Sequence, residues 1–207
     1  MERKIDTKAF LRAALIFFVM FMLIFVCIFV KYRACGSFTD GSKKSTLYIA
    51  CAGSGISILL LLLSLFTYFI YSRQKLIEKT KKLAAICSAV ALSCIVNVGL
   101  SALGLFYMPM AFTAYILVPL ADRRDVFVAN IVANLVVSVA LMFESIMGTK
   151  IDMLSVLVMM MTGICTGSIV AYAMSNTVKR VTFVLKGLCV GAVTMLLLFL
   201  SSLIVSS

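Results

Sequence analysis

Residues Leu83 to Ala121, LAAICSAVALSCIVNVGLSALGLFYMPMAFTAYILVPLA, form the longest stretch of the chain without a charged side chain. About 39 residues in one α-helix would extend roughly 58 Å, nearly twice the ~30 Å hydrocarbon core of a bilayer. The stretch therefore predicts two membrane spans, at about 83–104 and 107–121. Gly loosens a helix and Pro interrupts it, so the break is expected near Gly99, Gly104 and Pro109.

The rest of the chain repeats this apolar pattern. Of its 207 residues, 63% are hydrophobic and 13% charged, which is far more apolar than a soluble domain can bury. The fold class predicted is all-α, a polytopic transmembrane helix bundle of six to seven spans, six if the short fourth span is only half-inserted. The other spans are expected at about 10–30, 47–71, 126–147, 153–175 and 184–204, with a hydrophilic loop at 31–46.

Basic residues fall between the apolar runs rather than on one patterned face. The net charge is +11, and most Lys and Arg residues lie on one side if the N-terminus is cytoplasmic. The basic run from Arg73 to Lys82 is expected to rest on anionic lipid headgroups. This distribution predicts a cytoplasmic N-terminus and argues against nucleic-acid binding.

Residues suited to catalysis are scarce. The chain has no histidine, and six of its seven cysteines lie in apolar segments without a CxxC pair. Met159, Met160 and Met161 are consecutive and point to different faces of a helix, so they cannot converge on one copper ion. The sequence therefore predicts no catalytic residue, no metal site and no cofactor.

Polar and small residues inside the spans are the candidates for packing or binding. Asn97, Asn130 and Asn134 are expected to face inward, either bonding neighbouring helices or lining a ligand cavity. Two glycine pairs, Gly163 with Gly167 and Gly187 with Gly191, are each four apart and allow close helix approach. Internal packing is favoured over a homo-oligomer interface for both pairs.

Charged residues at the span ends have two interpretations. Asp122, Arg123, Arg124 and Asp125 are expected either to pair with one another at the membrane surface or to form a cytoplasmic docking loop. Lys179 with Arg180 would join that loop. All acidic residues lie at or near predicted helix ends, so no buried carboxylate is expected.

Several short motifs follow one another in a defined order along the chain. They are Tyr107-Met108-Pro109-Met110-Ala111-Phe112, Asp122-Arg123-Arg124, Gly163 with Gly167, and Lys179-Arg180 with Gly187 seven residues after the arginine. This series, within about residues 47–207, resembles the membrane region of the bacterial seven-transmembrane HD-domain phosphodiesterases. The resemblance implies a membrane sensor-transducer region that precedes a cytoplasmic HD domain, which hydrolyses cyclic di-AMP at a metal centre.

The chain departs from that family in two places. The segment between the first two spans is too short for the family's extracellular domain. The chain also stops before the HD domain and, on a count of six spans, before the last helix. The resemblance thus implies a non-catalytic membrane part with an HD or other signalling domain as partner, whether truncated, engineered or naturally separate. The alternatives are a small-molecule transporter subunit, such as the substrate-binding component of a vitamin importer, and a structural membrane scaffold.

Overall fold

The computed structural model describes residues 7–35, 41–147, 151–174, 187, 189, 191–196 and 199. All regular secondary structure in these residues is helical. In chain order, the elements are α1 (Thr7–Cys35), α2 (Gly41–Ser72), α3 (Gln74–Glu78), α4 (Thr80–Leu100), a 3₁₀ turn (Leu105–Tyr107), α5 (Phe112–Leu117), α6 (Arg123–Ile146) and α7 (Met153–Met174).

Five of these helices, α1, α2, α4, α6 and α7, are long and apolar enough to cross a membrane. Their outer surfaces carry exposed large apolar side chains, among them Leu15, Phe18 and Leu60. Water would penalise such a surface, whereas lipid tails do not, and the helical backbone satisfies its own polar groups. The chain is therefore an all-α, multi-pass membrane protein, which confirms the predicted fold class at this level.

Helix α6 lies at the centre of the bundle. It packs against α2, α4, α5 and α7, while α1 covers α4 and α2 from outside. In the most apolar window of each helix, 61% of α6 is buried but only 28% of α1. Small side chains allow neighbouring helices to approach α6 closely. Ala129, Ala133 and Ala140 are fully buried, and their spacings of four and seven residues place them on one face of the helix.

Between α4 and α6 the chain crosses the bundle without a long helix. Ser101 lies beside Lys31 and Glu144 at one end of α6, whereas Asp122 lies beside Arg73 at the other. The crossing contains only the 3₁₀ turn, an extended stretch at Met108 and the short α5. Gly104 has a φ of +138°, a backbone region that side chains other than glycine rarely adopt.

The prediction of a helical fourth span at 107–121 is therefore wrong. Only Phe112–Leu117 is α-helical there, and α4 already ends at Leu100 rather than near 104. Chain direction reverses at the glycine, and Pro109 lies within the irregular segment that follows. Irregular backbone at this depth is tolerated because α4, α6 and α7 surround it.

Two predicted loops are largely helical. The loop at 31–46 is shortened from both sides, because α1 continues to Cys35 and α2 begins at Gly41. The basic run after α2 contains the single-turn helix α3. Five long helices are described against six to seven predicted spans, and most of the predicted span 184–204 lies outside the described residues.

Candidate functional site

Two asparagines of α6 form hydrogen bonds to backbone carbonyls of other elements. Asn130 Nδ2 donates to the carbonyl of Gly163 in α7 at 3.3 Å. Asn134 Nδ2 donates at 3.3 Å to the carbonyl of Met110 in the irregular crossing. Both side chains are almost completely buried. These amides therefore connect the central helix to α7 and to the broken segment.

Gly163 and Gly167 make room for these amides. A methyl group at Gly163 would overlap Asn134 Oδ1, and one at Gly167 would overlap the amide of Asn130. The predicted close approach of helices at this pair is thus an approach between α7 and α6 within the bundle. Any larger residue at either position would displace an asparagine.

Asn97 of α4 is a third buried amide, and its hydrogen bond runs within its own helix. Its Nδ2 donates to the carbonyl of Ser93 at 2.9 Å, and Ser93 Oγ lies 2.5 Å from Thr113 Oγ1 in α5. Asn97, Asn130 and Asn134 are called the amide layer below. Asn130 and Asn134 connect α6 to α7 and to the broken crossing, while Ser93, the acceptor of Asn97, connects α4 to α5.

Two acceptor atoms of the amide layer have no hydrogen-bond partner among the described residues. They are Asn97 Oδ1 and Asn130 Oδ1, in side chains that are 3% and 0% exposed. Leaving a buried acceptor unpaired costs about 1–3 kcal/mol. These oxygens are therefore suited to accept a hydrogen bond from a bound molecule or an internal water.

A cavity of about 300 Å³ adjoins the layer between the broken crossing and α7. Its wall is mainly apolar and includes Met110 and Met159, and its polar positions include Thr162, Thr166 and Thr194. Thr166 Oγ1 donates at 3.3 Å to the carbonyl of Gly163, the same acceptor that Asn130 uses. The cavity wall and the amide layer thus share one carbonyl group.

The Asp125 cluster, which comprises Tyr68, Arg73, Asp122 and Asp125, occupies one end of α6. Arg73 Nε lies 2.9 Å from Asp125 Oδ1 and Nη1 lies 3.1 Å from Asp122 Oδ2, while Tyr68 donates to Asp125 at 3.1 Å. Burial by itself lowers the pKa of Arg73. Hydrogen bonding and charge attraction from Asp125, with smaller effects of Tyr68 and Asp122, raise the pKa by more than burial lowers it. The pKa of Arg73 therefore lies above its ordinary value.

This cluster corrects two predictions. The two aspartates pair with Arg73 of the α2–α3 junction, and no ion pair between described residues joins them to their neighbours Arg123 and Arg124. Asp125 is only 2% exposed, so it cannot belong to an accessible docking loop. Asp122, Arg123 and Arg124 are exposed. Lys179 and Arg180 lie outside the described residues.

The Glu144 cluster, which comprises Lys31, Ser101 and Glu144, occupies the opposite end of α6. Lys31 Nζ lies 2.5 Å from Glu144 Oε2 and donates to Ser101 Oγ as well. One turn away, Tyr32 donates to the carbonyl of Ala140 at 2.6 Å. The prediction that no carboxylate is buried is therefore wrong, since Glu144 is 4% exposed and Asp125 is 2% exposed.

Sequence reasoning missed the partners of both carboxylates, Lys31 and Arg73. A signal was present in α6 itself. Asp125 and Glu144 lie on the face that carries Ala129, Ala133 and Ala140 at steps of three or four residues or their multiples. A helix whose small residues form one face is buried along that face, so charged residues that continue it require buried partners.

The second glycine pair differs from the first. A methyl group at Gly187 would meet Met174 Cε at 3.3 Å, whereas a methyl group at Gly191 would meet no atom within 4 Å. Gly191 instead borders the cavity. In the described part of the chain, no group of three or more His, Cys, Asp or Glu side chains is arranged to hold a metal ion.

No protein-family model, curated protein sequence or solved structure matches the chain.

Proposed function

We propose that the chain is a non-catalytic sensor-transducer domain of a bacterial cytoplasmic membrane, resembling that of the seven-transmembrane HD-domain phosphodiesterases. A small, mostly apolar ligand with a hydrogen-bond donor would bind at the amide layer. The observation that carries this proposal is the pair of buried, unpartnered acceptors, Asn97 Oδ1 and Asn130 Oδ1. Polar groups inside a membrane bundle are costly, and those without internal partners are candidates for ligand contacts.

The arrangement of the layer supports signal transmission along α6. Asn130 is five residues from Asp125, or about 8 Å along the helix axis. A ligand that changes the contact of Asn130 with α7 would shift the start of α6 against Arg73 and the α2–α3 junction. The ligand must bind the shifted state more tightly than the unshifted state, because only differential affinity changes a conformational equilibrium.

The Asp125 end carries the exposed basic residues Lys79, Lys81, Lys82, Arg123 and Arg124. This charge supports a cytoplasmic position for that end, and hence for the N-terminus. A cytoplasmic HD or other signalling domain would contact α6 at this end and respond to its shift. A purified chain that hydrolysed cyclic di-AMP without a partner would contradict the non-catalytic assignment.

Indole and indene make a matched pair of probes for the site. They share one bicyclic shape, but only indole has an N–H donor for an asparagine oxygen. With the full chain in lipid nanodiscs, we expect indole to raise the melting temperature more than indene does, and to slow hydrogen exchange at residues 73–82. Asn130→Leu should abolish the advantage of indole over indene.

A control variant distinguishes the site from general effects of indole on the bilayer. Ser88 is exposed on α4, and among the described residues its hydroxyl donates to a carbonyl of its own helix. Ser88→Ala should therefore keep the full difference between the two probes. Equal effects of indole and indene on the unmodified chain would refute donor recognition at the amide layer.

A second candidate function is the substrate-binding component of a small-molecule importer. The irregular crossing favours it, because transporter sites are often formed by interrupted helices near the bilayer midplane. Met108, Pro109 and Met110 border the cavity directly. Thermal stabilisation by riboflavin, thiamine or biotin, but not by cyclic di-AMP, would support import over signalling.

A further inference from the structure

An open apolar groove of about 740 Å³ lies where α2, α6 and α7 meet, on the outside of the bundle. Phe127 and Val128 of α6 line one side, and Ile169 and Ala173 of α7 line the other. Phe127 and Ile169 are 42% and 38% exposed, so the groove opens toward the surrounding lipid. It is separate from the cavity at the broken crossing, which has different lining residues.

Two cationic side chains close the groove at the Asp125 end. Arg123 and Arg124 both line it and both are exposed. No ion pair between described residues includes either of them, because the nearby carboxylates of Asp122 and Asp125 bind Arg73. Positive charge at this end of the groove is therefore not neutralised by those aspartates.

Arg123 is also held over the groove by an aromatic ring. Its guanidinium carbon lies 5.7 Å from the ring centroid of Tyr172, a residue that lines the groove. A cation–π contact with one ring does not use up the five N–H donors of a guanidinium, so donors remain for a phosphate. Arg123 is thereby held beside the groove, and its charge is available to an anionic group there.

From this combination we infer that the groove is a binding site for one anionic phospholipid. Its phosphate binds Arg123 and Arg124, and the first part of an acyl chain lies between Phe127 and Ile169. The charge complements an anionic headgroup at the level where the membrane interface meets the groove. The site is independent of the proposed sensing function, because it uses neither the amide layer nor the cavity.

The alternative to a defined site is diffuse attraction between lipid and the whole basic end of the bundle. Lys81 and Lys82 are exposed at that end and do not line the groove. Replacing them removes the same number of charges as replacing the two arginines. A comparison of the two double variants therefore separates a site from a general charge effect.

The test uses the full chain, extracted from vesicles that contain equal amounts of phosphatidylglycerol and phosphatidylcholine. Native mass spectrometry counts the lipids retained on each chain. We expect one phosphatidylglycerol in preference to phosphatidylcholine, and Arg123→Gln/Arg124→Gln should lower its retention about tenfold or more. Lys81→Gln/Lys82→Gln should retain it. Equal loss in the two double variants, or equal retention of both lipids, would overturn the site.

A second variant addresses the acyl part of the site and keeps both arginines. Ala173→Leu narrows the groove, whereas Ala34→Leu adds the same bulk at an exposed position of α1. Retention should fall in the first variant and not in the second. Unchanged lipid retention in Ala173→Leu would contradict the assignment. A dimer of the unmodified chain that dissociates both in Ala173→Leu and in Arg123→Gln/Arg124→Gln would also contradict it, because a second copy of the chain would then occupy the groove.

Discussion

The two ends of α6 bury one carboxylate each, but in different surroundings. At one end, Asp125 shares Arg73 with the exposed Asp122, and the Arg73 side chain is itself 30% exposed. At the other end, Lys31 and Glu144 have side chains that are only 10% and 6% exposed. The two carboxylates are 19 positions apart, which corresponds to about 28 Å of helix, close to the hydrocarbon thickness of a bilayer.

The comparison shows how burial changes the role of an ion pair. Arg73 lies just after α2, so the Asp125 cluster fixes a junction at the membrane surface. Lys31 connects α1 to α6 and, through Ser101, to the end of α4. When one partner of an enclosed ion pair is removed, the other charge stays buried without compensation. At a partly exposed pair, water can solvate the charge that remains.

The largest effect is expected at the enclosed pair. Lys31→Met should lower the free energy of unfolding by about 3–5 kcal/mol, because Glu144 would remain buried without its cation. Unfolding in detergent micelles, followed by circular dichroism, measures this change. The double variant Lys31→Met/Glu144→Leu should recover much of the loss. Arg33→Met, at an exposed position nearby, is the control and should be nearly neutral.

A smaller loss is expected at the Asp125 end. Arg73→Gln should cost about 1–3 kcal/mol, since Asp125 keeps the hydrogen bond from Tyr68 and water can reach the junction. The same unfolding assay applies, with the exposed Lys79→Gln as control. A loss as large as that of Lys31→Met would contradict the distinction between the two ends.

Between the two ends, the glycines of α7 test the amide layer. Gly167→Ala should cost about 1–2 kcal/mol, because the added methyl group overlaps Asn130 and must displace it. Gly99→Ala is a matched control on α4, where the methyl group meets no atom within 4 Å. The control should be neutral or stabilising by about 0.5–1 kcal/mol. Equal changes in the free energy of unfolding for Gly167→Ala and Gly99→Ala would argue against close packing at Gly167.

The smallest effect is expected for the exposed partner of Arg73. Asp122 has a side chain that is 62% exposed, so Asp122→Asn should change the free energy of unfolding by less than about 1 kcal/mol. Raising the salt concentration should reduce even this difference, because surface ion pairs are screened. A large loss of unfolding free energy that does not depend on salt would mean that Asp122 stabilises the fold as much as Asp125 does.

The apolar runs were sufficient to predict the fold class and the approximate positions of the five long helices in the described part of the chain. Their length and hydrophobicity set the outcome, since a bilayer accepts little else. The limits of α1 and α2 were harder to predict. Lys31 extends the first helix because Glu144, more than a hundred residues later, supplies its partner.

For the polar contacts inside the bundle, the sequence likewise predicted one part and not the other. Periodicity alone predicted that Asn130 and Asn134 share a helix face. The acceptors that they bind, the carbonyls of Gly163 and Met110, depend on where α7 and the broken crossing lie in space. Sequence spacing carries no information about that placement, which arises from packing between distant segments.

The broken crossing also constrains the order in which the protein can assemble. When residues 101–121 are synthesised, Asn134, whose amide binds the Met110 carbonyl, has not yet been added to the chain. A segment with so little regular helix is poorly suited to partition into lipid alone, because its peptide groups would lack partners. Stable insertion of this segment must therefore wait for its C-terminal neighbours, so the middle of the polypeptide reaches its final membrane position after later parts have been translated.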